Sequence, residues 1–151
     1  MSFRLLSQRD PRWSSQRIGA SNLTVGRFGC CLTSISMLSF YFNCFKSPLE
    51  IASNANNFTT EGLVNWNKLK FDNMKFAARI RGTPLASTIR DALKAPNKAI
   101  MLEVSNGSHW VVAVKYNWLG RLIVCDPWDG KLCDVLKVYS NITGAALFQR
   151  I

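Results

Sequence analysis

Gly29-Cys30-Cys31-Leu32-Thr33-Ser34-Ile35-Ser36-Met37-Leu38-Ser39-Phe40-Tyr41-Phe42 contains no charged side chain. Within it Cys31, Ile35, Leu38 and Phe42 recur every three or four residues, with Ser34 and Tyr41 beside them. That spacing sets them on one face and predicts a largely buried helix over 30–42. Gly26 and Gly29 mark the turn that leads into it.

Downstream of this run the chain changes grain once. Pro48 opens a short helix through Leu49-Glu50-Ile51-Ala52, since proline suits the first helical position. A second helix is expected over 61–70, capped by Thr59 or Thr60. A third follows Thr83-Pro84 and runs to Lys94, where Ala95-Pro96-Asn97 ends it. Beyond Lys98 the apolar runs 99–104, 110–116 and 121–125 read as strands separated by turn residues, and 135–139 and 145–149 add two more. Helices first and hairpins later predict an α+β fold, with an N-terminal helical lobe packed on a C-terminal antiparallel sheet and a seam near 95–98. A chain of 151 residues fits a single domain spanning 1–151.

Composition narrows the function. With 48% hydrophobic and 19% charged residues the chain is not expected to be disordered. No apolar run approaches the ~20 residues of a membrane span, and the first ten residues lack the apolar centre of a signal peptide. The expected location is cytoplasmic, with release to a cell wall or a virion by another route. Nineteen Lys and Arg against nine Asp and Glu give +10, a charge that attracts polyanions. The basic residues are scattered, however, so weak attraction to an anionic envelope is expected and specific nucleic-acid binding is not. Five cysteines, an odd number without a Cys-x-x-Cys, predict neither a disulfide framework nor a zinc site, and no cofactor is implied.

The chemistry starts from the scarcest residue. His109 is the sole histidine, so any histidine-dependent mechanism must use it. It sits between a glycine-containing loop and the strand Trp110-Val111-Val112-Ala113-Val114, at an edge where functional groups collect. The next strand ends in Asp126-Pro127. A turn centred on Trp118-Leu119 pairs residues whose numbers sum to 237, which puts Asp126 diagonally across from His109 on the same face. A slip of one residue would put them on opposite faces. A histidine held by a carboxylate is a general base that calls for a nucleophile. Cys30, at the start of the apolar helix, meets the positive end of the helix dipole. Cys31 belongs to the buried stripe, leaving Cys30 as the exposed thiol. Cys44, Cys125 and Cys133 read as structural.

These residues resemble a family. Gln8 in Leu6-Ser7-Gln8-Arg9-Asp10-Pro11-Arg12-Trp13, the run from Gly29-Cys30, His109-Trp110-Val111-Val112 and Asp126-Pro127-Trp128-Asp129-Gly130 look like the papain-like cysteine peptidases related to double-glycine leader peptidases, in the stand-alone form of phage and bacterial members. Gly62-Leu63-Val64-Asn65-Trp66 is similar to a further segment common there. The resemblance implies a papain-like domain with Cys30, His109 and Asp126 as the triad and Gln8 in the oxyanion hole. The family usually has glycine or another small residue after the nucleophile, where this chain has Cys31. The function implied is hydrolysis of peptide or amide bonds by a Cys-His-Asp triad, as a phage-type lysin cutting peptidoglycan peptides or equally as a processing protease; a monomer is expected. The alternatives are a catalytically silent binding module on the same fold and a basic nucleic-acid-binding protein.

Overall fold

In the computed structural model, which describes residues 2–151, the uncharged run forms one helix, with a further helical turn just before it. A single turn, α1 (Val25–Phe28), meets α2 (Cys30–Tyr41) at Gly29. Gly26 therefore lies inside α1, not in a loop. Along α2 every residue from Leu32 to Ser39 is buried, which is wider than the expected stripe. Burial on all sides requires the small polar residues of the run to find partners. Ser36 and Ser39 donate to the backbone oxygens of Lys46 and Ser36, each at 2.6 Å, whereas the buried Thr33 hydroxyl has no partner.

After α2 comes α3 (Pro48–Ser53), started by a capping box in which Ser47 accepts from the Glu50 N–H and Glu50 accepts from the Ser47 N–H. The helix expected over 61–70 is absent. Gly62 holds a positive φ of 87°, and the Thr59 N–H donates to Leu63 O across a tight loop, leaving only a 3-10 turn at Trp66–Lys68. A Cβ at position 62 would lie 2.8 Å from Ser21 Oγ, so this loop is pressed against the N-terminal segment.

The sheet begins earlier than the seam at 95–98 implies. β1 (Met74–Arg81) precedes α4 (Ala86–Lys94) and is followed by β2 (Lys98–Val104), β3 (His109–Tyr116), β4 (Leu122–Asp126) and β5 (Lys131–Asp134). The strand expected at 135–139 is instead α5 (Val135–Tyr139), because Asp134 Oδ1 accepts from the Lys137 N–H and caps it. β6 (Ile142–Arg150) completes an antiparallel sheet in the order β1-β6-β2-β3-β4-β5.

Strand alternation sends two sets of side chains to opposite faces. Met101, Trp110, Val112, Cys125 and Phe148 pack with α2 and the N-terminal segments. Ile100, Leu102, Val111, Val124 and Ala145 pack beneath α4 and α5. Among the described residues no helix is long and apolar enough to cross a membrane. All five cysteines are free thiols.

Candidate active site

Gly29 decides how the nucleophile candidate is presented. Its N–H closes α1 on Val25 O at 2.8 Å, and its own carbonyl accepts from Thr33 at 3.0 Å to open α2. A Cβ there would lie 2.5 Å from Val25 O and 2.7 Å from Val25 Cγ1, so only glycine lets two helices share one residue. Cys30 follows directly as the first residue of α2, whose N-terminal amides are not taken by a capping side chain.

His109 begins β3, and its Nε2 donates to Asp126 Oδ1 at 2.7 Å. This pairing depends on a bulge. Near the turn the strands pair as Tyr116↔Leu122 and Lys115↔Ile123, sums of 238, and that register carried onward would put His109 and Asp126 on opposite faces. The ladder shifts between Ala113 and Lys115, and from Ala113↔Val124 and Val112↔Cys125 the sum is 237. The extra residue, Val114, thus re-aims the histidine onto the carboxylate.

Asp126 is held from three directions. Oδ1 also accepts from the Trp128 N–H at 2.9 Å, and Oδ2 accepts from the Tyr139 hydroxyl. Burial works to raise the Asp126 pKa, but these bonds outweigh it and hold the carboxyl below its ordinary value. For His109, burial likewise opposes the charged form. The hydrogen bond to Asp126, the nearby Cys30 thiol and the charges of both win out and raise the imidazole from 6.5 to about 9. With Nε2 engaged by Asp126, Nδ1 is the ring nitrogen left for Cys30.

Cys31 is half-buried, as Cys30 is, so exposure does not separate the two thiols as the sequence led us to expect. Burial pushes the Cys31 thiol well up, and it lies by the ion pair between Arg79 Nη2 and Glu103 Oε2 (2.6 Å), whose guanidinium stacks 4.7 Å from the Trp110 ring centre. Burial also pushes Cys133 up to about 11 and Cys125 up to about 12.

Gln8 is 1% exposed and tied to both halves of the site. Its backbone N–H donates to Pro127 O at 2.6 Å, next to Asp126, and its Nε2 donates to Gly26 O at 3.2 Å, in the helix that leads to Gly29. Its Oε1 is buried without a hydrogen-bond partner. Arg9 binds Trp128 O through Nε at 2.9 Å and stacks on the Trp128 ring, locking the N-terminal segment to the loop after Asp126.

A cleft of about 300 Å³ opens at Cys30 and Cys31 and runs past Leu63, Val64, Trp66 and Trp110. The segment misread as a helix therefore walls the cleft. A larger cavity, about 840 Å³, lies under α4 and α5 on the other face of the sheet and is lined by neither Cys30 nor Cys31. Of the candidate residues, Cys30 lines the smaller one, and His109 and Gln8 line neither. Among the described residues no cluster of His, Cys, Asp and Glu could hold a metal ion. Tyr139 is the site residue that sequence reasoning missed: reading 135–139 as a strand hid it, and the Asp134 cap was the signal available.

The chain matches no known protein-family model and no curated protein.

Proposed function

We propose that this protein is a papain-like cysteine hydrolase that cleaves peptide or amide bonds. The observation that carries this reading is the part-buried 2.7 Å bond from the sole histidine's Nε2 to Asp126 Oδ1, with the helix-terminal Cys30 near enough to influence the same ring. With its pKa near 9, His109 is an imidazolium at neutral pH, beside Cys30. Cys30 attacks the carbonyl as thiolate, and His109 then gives its proton to the leaving amine. The neutral imidazole next takes a proton from water, which hydrolyses the thioester and releases Cys30. Asp126 keeps the ring oriented and its charge compensated throughout. The Cys30 backbone N–H and the Gln8 amide supply the oxyanion donors; each such donor is worth roughly 10²–10³ in turnover.

An anionic cell wall suits a chain of net charge +10, and we favour peptidoglycan peptides over other peptides as substrate. The test combines purified sacculi and casein as substrates with limiting iodoacetamide and mass spectrometry. Cys30 should be alkylated before Cys31, Cys44, Cys125 and Cys133, and His109→Ala should slow that labelling near pH 6. Cys30→Ala should lower hydrolysis by at least about 10⁴-fold, whereas Cys31→Ala should leave it largely intact. Gln8→Ala should retain labelling and lose about 10²–10³ in turnover. Uniform labelling, with neither substrate cut, would sink the proposal and leave a binding module.

A further inference from the structure

We infer that Tyr139 is a positioning residue for this site, fixing the Asp126 carboxylate that in turn fixes His109; the inference rests on the hydrolase reading above. The distribution of bonds on the carboxylate carries it. Both His109 Nε2 and the Trp128 N–H act on Oδ1. Oδ2 is the oxygen bonded by the Tyr139 hydroxyl. Two donors on one oxygen leave the carboxylate free to rock about that oxygen, and a third donor on the other oxygen stops it. Asp126 is 8% exposed, so water is a poor substitute for the phenol.

The backbone is shaped to deliver this phenol. Tyr139 ends α5, and Ser140 then adopts φ 66°, ψ −49°, while the Asn141 N–H donates to Tyr139 O at 2.7 Å. This is a γ-turn with a positive central φ on a residue other than glycine, a conformation that is rare and strained. It lets the chain leave α5 and enter β6 at Ile142 within two residues, and it holds the Tyr139 ring 5.5 Å from that of His109. The other end of α5 is pinned by Asp134, which caps it and pairs with Arg121 at 3.1 Å. Burial and the Asp126 charge push the Tyr139 pKa up, so the phenol keeps the proton it donates. A tyrosine serving only to pack α5 on the sheet would need the ring and not the hydroxyl.

Because His109 is the sole histidine, its ring can be followed by NMR without ambiguity. The other titratable groups around the cluster are Cys30 of α2, Asp129 of the following turn and Cys133 of β5. The experiment compares wild type, Tyr139→Phe, Asp126→Asn and the double variant, reading the His109 titration midpoint, its Nε2 proton and the rate of Cys30 alkylation by iodoacetamide. In Tyr139→Phe the midpoint should fall from about 9 toward 6.5, the Nε2 proton should broaden by exchange with water, and alkylation at pH 7 should slow on the order of tenfold. In the Asp126→Asn background the same change should do nothing further. An unchanged midpoint in Tyr139→Phe, or equal effects in both backgrounds, overturns the inference. Should Tyr139→Phe fail to fold, wild type decides: a slowly exchanging Tyr139 hydroxyl proton, lost in Asp126→Asn, is required. The titration needs no substrate, so failure to cleave peptides would sink the hydrolase reading separately.

Discussion

The two faces of the sheet are built on different plans. Against one lies α2, buried from Leu32 to Ser39, together with an aromatic cluster of Trp66, Phe76, Trp110 and Phe148. Against the other lie the short helices α4 and α5, which leave Leu85, Leu136 and Val138 exposed and a cavity of about 840 Å³ between them. The thiol comes from the densely covered side. His109 and Asp126 share the sparsely covered side with Val111 and Val124 and meet the thiol at the end of the sheet. Close packing locates a side chain without special contacts, whereas a loosely covered face must use hydrogen bonds. That is why Asp126 carries bonds from His109, Trp128 and Tyr139, while Cys30 depends on Gly29 and helix packing.

Truncation tests this contrast most severely. Leu38 is fully buried in α2, and Leu38→Ala should cost about 2–5 kcal/mol in urea unfolding. A cost below that range would mean the α2 face is not the rigid one. The next effect is electrostatic. A histidine whose pKa is raised on folding stabilises the fold fully below its unfolded value, near 6.5, and that contribution is lost as pH rises through about 9. The stability gap between wild type and His109→Gln should therefore shrink steadily across this window. Taking the gap isolates His109 from Cys125 and Cys133, whose raised pKa values cost stability only once unfolded thiols ionise, from about pH 8.5 upward. Parallel curves would mean that His109 and Asp126 are not coupled in solution. The smallest effect belongs to the sparse face: Leu136 is 55% exposed, and Leu136→Ala should stay within about 0.5 kcal/mol of wild type. A larger loss would show that α5 is held by packing after all.

The sequence was legible where one local pattern dominated. An uncharged apolar run can only be a covered element, so α2 is readable down to its first residue. The α+β class follows from the strands after Lys98. β1 escaped notice because Lys75, Arg79 and Arg81 make it look solvated and because a bulge between Phe76 and Ala78 breaks its alternation. Val135–Tyr139 has the composition of a strand, but a single capping aspartate overrides so short a preference. The His109–Asp126 contact is the instructive case. The turn arithmetic places them on one face, yet the strands near the turn run one register away and reach that pairing only through the bulge at Val114. Tyr139 was illegible because its contact joins two elements through a strained turn that no spacing announces.

The position of β6 has a consequence for how the molecule comes into being. It lies between β1 and β2, pairing Met74 with Arg150 and Lys98 with Gln149, so an interior place next to the edge strand β1 is filled by the last strand. Closing such distant pairs carries a loop-entropy cost before any contact repays it, which slows folding. A growing chain that has not yet extended past Ile142 has β2 to β5 available and nothing to join β1 to them. The last strand made is therefore the one that joins β1 to the rest of the sheet, after α2, β3 and β4 are already in hand.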